Sequence, residues 1–157
     1  MMNSILIALD YDPTAQQVAE IGFSLAENNN AEVTLLHVIG HPSYYASSMY
    51  DPIMGFGGYI NLDLLQPDII NDLKNTSIDF LEKTRQHLGD SNIKLLVKEG
   101  SIAESILEAA GALNADIIVM GSHSRRWLEN ILMGSITEYV LHHTTVPLFI
   151  VPVKKQR

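Results

Sequence analysis

The stretch DIIVMGSHSRRWLENILMGSITEYVLHH, residues 116–143, decides the architecture. Residues 116–120 are apolar after Asp116, the signature of a strand covered on both faces. Ser135-x-x-Glu138 reads as a capping box, and the helix behind it runs to about His143. Between strand and helix lie two Gly-Ser pairs, Gly121-Ser122 and Gly134-Ser135, with the basic, aromatic loop of Arg125, Arg126 and Trp127 between them.

The same alternation runs outward in both directions. Residues 4–9, SILIAL, form an apolar strand ended by Asp10. Asp12-Pro13 reads as N-cap and first helical position of a helix whose face carries Val18, Ile21, Gly22 and Leu25, and Asn28-Asn29-Asn30 stops it. Residues 32–39, EVTLLHVI, make a second strand. From Pro67 a period of 3.6 through Ile70, Leu73, Ser77, Phe80, Leu81 and Leu88 predicts a long amphipathic helix ending at Gly89. A third strand is expected over 92–97. Ser101-x-x-Glu104 is a second capping box, opening a helix through Ile102, Ile106, Leu107 and Ala110. Residues 146–153, VPLFIVPV, make a fifth strand, and Pro147 and Pro152 suit an edge. Strands and helices alternating in this way predict an α/β fold, a doubly wound five-stranded parallel sheet with helices on both faces. The expectation is a single domain over 1–157, without internal repeats.

Residues 40–66 interrupt the pattern with a loop insertion that is long for a connection in a compact domain. It holds Tyr44, Tyr45, Tyr50, Phe56 and Tyr59 beside Gly55, Gly57 and Gly58. It follows the second strand, on the ligand side of the sheet. A lid, a partner contact and a disordered insertion all fit; the aromatic content favours the first.

Composition narrows the function. Ten Lys+Arg against 18 Asp+Glu give a net charge of −8, which argues against nucleic acid or a membrane surface as partner. No apolar run reaches the roughly 18–20 residues of a membrane span. The N-terminus carries no export-signal pattern, so the expected location is cytoplasmic. With no cysteine there is neither a disulfide nor a thiolate nucleophile. No His/Asp/Glu set has metal-ligand spacing, so no protein metal site is expected. His142-His143 fit a helix C-terminus, where imidazoles meet the dipole.

In doubly wound sheets, ligands bind beyond the carboxyl ends of the strands, where strand order reverses. Here that point faces Ala8-Leu9-Asp10 at the end of strand one toward Met120-Gly121 at the end of strand four. Gly134-Ser135 starts a helix, whose N–H groups and dipole favour an anion. The same glycines are ordinary turn punctuation, and Ser135 capping its own helix would use some of those N–H groups. Spacing alone leaves both readings standing. The pattern is neither a dinucleotide fingerprint nor a Walker loop. Asp10 has two readings also, a ligand contact or the cap of a neighbouring turn. His123 fits a phosphate contact or a loop hydrogen bond. Trp127 fits a solvent-side anchor or a partner surface.

Residues 5–10, 33–39, 99–110 and above all 116–153 resemble the universal stress protein family. The resemblance covers nearly the whole chain outside 40–66 and implies a sheet of order 3-2-1-4-5. The family's ATP-binding branch carries Gly-x2-Gly-x9-Gly-(Ser/Thr). This pattern lands on Gly121, on Ser124 in place of the second glycine, and on Gly134-Ser135. The resemblance implies that Asp10 contacts adenosine and Val38 lies against adenine. It implies that Gly121, Ser124, Gly134, Ser135 and Ile136 surround ribose and phosphates, with Ala8, Leu9, Met120, Ser122, His123, Arg125 and Thr137 completing the nucleotide-binding set. Two further departures are Ala8, where many members have proline, and Asp10-Tyr11-Asp12, where Asp-Gly-Ser is common.

The function so implied is a cytoplasmic stress protein that binds ATP, with Mg2+ on its phosphates, as a sensor or regulator. The family also implies a homodimer through the strand at 146–153, and the protein partner stays unnamed. The rival is a nucleotide-free stress protein acting as a dimeric interaction module. Catalysis ranks last, at most weak ATP hydrolysis, because no general base or nucleophile set stands out.

Overall fold

The computed structural model describes residues 1–40, 67–122 and 133–153. The elements are β1 (Ser4–Ala8), α1 (Ala15–Asn29), β2 (Glu32–Gly40), α2 (Pro67–Leu88), β3 (Lys94–Gly100), α3 (Ile102–Ala112), β4 (Ile117–Gly121), α4 (Ser135–His143) and β5 (Leu148–Val151). All five strands lie in one sheet of order β3-β2-β1-β4-β5, every neighbouring pair parallel. This is the expected topology.

The apolar runs of the central strands follow from two covered faces. Successive side chains of a strand point to opposite sides. Ile5, Ile7, Leu35 and Val119 pack with Val18, Ala19 and Ala26 of α1 and Leu81 of α2. Leu6, Leu36, Val38, Ile118 and Met120 pack with Ile106, Ala109 and Ala110 of α3 and Val140 of α4. Helices α1 and α2 therefore cover one face, α3 and α4 the other.

Helix ends follow the expected stops. Asn30 takes the left-handed conformation, φ 53°, behind α1. Gly89 does so behind α2, with φ 78°, a conformation that costs glycine least. Helices α2 and α3 start where expected, at Pro67 and behind Ser101, but the capping contacts differ. The N-cap of α1 is Thr14, not Asp12, because Asp12 Oδ1 captures the Thr14 N–H at 2.9 Å and its hydroxyl at 2.6 Å. This local Asx-type turn competes with helix capping. Neither capping box forms a side-chain cap bond: Ser101 sits at the N-cap of α3 without one, and Gly134 replaces Ser135 at the N-cap of α4. The Glu138 N–H donates to the Gly134 carbonyl at 2.9 Å, which places Ser135 inside the first turn. β3 starts two residues later than expected and runs to Gly100. Pro147 and Pro152 flank β5, which is an edge as their positions required.

Candidate functional site

The connection from β1 to β2 runs over one face through α1, and that from β3 to β4 over the other through α3. The helices diverge beyond the carboxyl ends of β1 and β4, which leaves a crevice there. A cleft of about 670 Å3, its open mouth included, occupies this point. It brings together eight of the residues expected from the sequence: Ala8, Leu9, Asp10, Val38, Met120, Gly121, Ile136 and Thr137. Thr14, Ala15, Val18, Leu36, His37, Ile102 and Ile106 line it too. Those seven escaped the sequence reading: Thr14, Ala15, Val18, Ile102 and Ile106 lie at or in the first turns of the helices behind strands, and Leu36 and His37 lie in the middle of β2. A search of the α3 start as well as the α4 start would have found Ile102 and Ile106.

The cleft has an apolar side and a polar end. Leu36, Val38, Ile102, Ile106, Met120 and Ile136 supply flat apolar wall. Asp10, Thr14, His37 and Thr137 supply polar groups. Asp10 Oδ1 accepts from the Asp12 N–H at 3.1 Å, so the carboxylate caps a turn while lining the cleft. His37 is buried, and its Nδ1 lies 2.8 Å from the Leu9 carbonyl oxygen. A carbonyl only accepts, so Nδ1 carries the proton. Thr137 Oγ1 donates to the Gly121 carbonyl at 2.9 Å and ties the start of α4 to the end of β4.

Ser122 does not line the cleft. It is 7% exposed, and its Oγ accepts from the Val153 N–H at 3.1 Å. Its N–H donates to Val151 at 2.9 Å, and its carbonyl accepts from the Gly134 N–H at 2.7 Å. The residue joins β4, β5 and the start of α4. That last bond also commits the Gly134 N–H, one of the donors expected at the anion site. The N–H groups of Ser135, Ile136 and Thr137 remain at the start of α4, without helical acceptors. Ser135 itself is exposed. His123, Ser124 and Arg125 lie outside the described residues.

Among the described residues, no group of three His, Asp or Glu side chains converges as a metal site. Among the same residues, no helix is long and apolar enough to cross a membrane.

The model of the universal stress protein family matches residues 1–152. Universal stress protein MJ0577 of Methanocaldococcus jannaschii is 27% identical over 157 residues, covering 98% of this chain and 97% of that protein. Its solved structure matches with a TM-score of 0.77 at 26% identity, covering 99% of each chain. Universal stress protein A homolog 1 of Coxiella burnetii is 29% identical over 157 residues, covering 96% of each. A universal stress protein solved in complex with cAMP shares the fold, with a TM-score of 0.64 at 14% identity over 96% of this chain and 97% of that one.

Proposed function

The chain belongs to the universal stress protein family, and from that premise we propose that its cleft binds an adenine nucleotide, ATP, making the protein a nucleotide-dependent sensor or regulator of the stress response in the cytoplasm. The observation that carries this reading is the cleft at the ends of β1 and β4, with an apolar wall on one side and the start of α4 on the other. The wall formed by Val38, Ile102 and Ile106 offers a planar base the dispersion and burial it needs. Asp10 is a hydrogen-bond acceptor for a ribose hydroxyl or a ring N–H. The N–H groups of Ser135, Ile136 and Thr137 and the α4 dipole favour phosphate. In this reading Ser124, Arg125 and His123 complete the phosphate end. Mg2+ would be held through the phosphate oxygens of the bound nucleotide. The relative bound to cAMP supports an adenine nucleotide as the ligand class.

The proposed homodimer pairs β5 with β5 of a second copy. A nucleotide-free interaction module is the second reading, favoured by the prior commitment of the Gly134 N–H to Ser122.

The test is denaturation of the purified protein followed by chromatography of what it releases, together with melting curves in added ATP. The expected outcome is released adenine nucleotide, or a melting temperature raised by about 5–10 °C at a hundredfold excess over Kd. Absence of both would sink the proposal and leave the interaction module.

A further inference from the structure

We infer that Tyr11 is a positioning residue, which holds the Asp10 carboxylate at the cleft for the nucleoside part of a ligand; this rests on the nucleotide-binding reading above. Tyr11 stands in the segment Asp10-Tyr11-Asp12, which links β1 to α1, and it does not line the cleft. Its ring turns to the face covered by α1 and α2. There its centroid lies 4.4 Å from His37, tilted by 52°, and 5.0 Å from Phe80 of α2, tilted by 55°. His37 and Phe80 complete the cluster edge-on, at 5.9 Å and 76°. Such tilted pairs are favoured by the ring quadrupoles.

The phenol oxygen of Tyr11 lies 2.8 Å from Ser77 Oγ. Ser77 is fully buried, and its hydroxyl donates to the Leu73 carbonyl at 2.8 Å. A serine hydroxyl has one hydrogen. The Tyr11 O–H is therefore the donor, and the chain of bonds runs from Tyr11 through Ser77 to the main chain of α2.

Neighbouring residues are tied as well. The Leu9 carbonyl is held by His37 Nδ1–H, and Asp10 Oδ1 by the Asp12 N–H. Tyr11 anchors the middle of this segment to α2, on the face of the sheet that α1 also covers. The consequence is preorganisation: a carboxylate ordered during folding need not be ordered on binding, which strengthens the complex. An acidic oxygen accepts, so the group it receives is a hydroxyl or N–H of a nucleoside, not a phosphate.

The test measures ATP and adenosine affinity by calorimetry for wild type, Tyr11→Phe, Ser77→Ala, Asp10→Asn and the Tyr11→Phe/Asp10→Asn double variant. Amide exchange at Asp12 is followed in the same proteins. Tyr11→Phe keeps the ring and loses only the anchor bond; Ser77→Ala loses the same bond from the other side. Each is expected to weaken binding about two- to tenfold and to speed Asp12 exchange, with little further loss from Tyr11→Phe once Asp10 is Asn. Wild-type affinity in Tyr11→Phe, or losses that multiply independently of Asp10, would overturn the positioning role while leaving nucleotide binding intact. A lower melting temperature with unchanged affinity and exchange gives Tyr11 a packing role only and overturns it equally. If wild type binds neither ligand, the proposed function fails and this inference falls with it.

Discussion

At Gly22 the helix α1 packs closely against the sheet. A Cβ there would stand 2.7 Å from Ile7 Cδ1, 3.0 Å from Ile7 Cγ1 and 3.2 Å from Val119 Cγ1. Ile7 and Val119 are both fully buried, so neither has open space to move into. Alanine would recover about 1 kcal/mol of helix propensity, but overpacking of this kind costs about 1–3 kcal/mol. The expected balance for Gly22→Ala is a destabilised protein, with the melting temperature a few degrees lower in a scanning calorimeter. An unchanged or higher melting temperature would mean that Ile7 repacks without strain. The residue matters beyond stability because α1 also carries Ala15 and Val18 to the cleft, and a helix pushed outward widens that wall. The sequence placed Gly22 on the core face by its spacing. It held no sign that the position is a contact limit, because a glycine in a helix can equally mark weak propensity.

Among elements, β1 and β4 are held together at the end remote from the cleft. Asp116 immediately precedes β4, and its Oδ2 accepts from the N–H of Asn3 at 2.7 Å and of Ser4 at 3.0 Å. The Asp116 N–H returns a bond to the Ser4 carbonyl at 2.8 Å. The Asn3 N–H first, and the Ser4 N–H after it, hold this carboxyl below the ordinary aspartate value of 3.8. A carboxyl depressed in the folded state stabilises it above the unfolded pKa, and that contribution fades as pH falls through the folded one. Asp116→Asn is thus expected to melt earlier at neutral pH and to lose less stability than wild type on acidification below about 3.8. Melting curves across that range check it; parallel acid limbs for the two proteins would remove Asp116 from the account. The strands themselves were legible because a sheet covered on both faces needs continuous apolar runs, and Asn30 and Gly89 were legible because few other residues take left-handed conformations cheaply. The caps were not. Asp12 had a nearer partner in Thr14, and Gly134 took the cap that Ser135-x-x-Glu138 promised, since side-chain caps compete with turns that spacing alone does not rank. The same holds for the site. Ala8, Leu9, Asp10, Met120 and Gly121 follow from strand order. His37, by contrast, reaches the cleft from the opposite face of β2 to Val38, which alternation disguised. Ser122, expected in the nucleotide-binding set, is spent on holding β5.

The molecule as a whole has two sheet edges of opposite character. On the β3 edge, Lys94 and Lys98 pair with Glu32 at 2.7 Å and Glu108 at 3.1 Å, and charged lysines of this kind deter further strand addition. The β5 edge reads Leu148, Phe149, Ile150, Val151, without a charge. Phe149 is 39% exposed, and Tyr139 and Leu141 of α4 are exposed too. Among the described residues no further strand pairs with β5, and an apolar strand edge gains from a partner through both its backbone groups and its side chains. The proposed homodimer would take the closed, symmetric solution, a β5–β5 pair across a two-fold axis that satisfies each copy with the same surface. Phe149→Asp places a charge on that edge in both copies at once, so repulsion and desolvation act against pairing. Sedimentation should give a dimer for wild type and a monomer for the variant. The wild-type melting temperature should rise with protein concentration, while that of the variant should not. A monomeric wild type across micromolar concentrations, or a dimer that survives Phe149→Asp unchanged, would move self-association away from β5. Because Ser122 binds both the end of β5 and the Gly134 that starts α4, the same measurement repeated with ATP tests whether occupancy of the cleft reaches this edge.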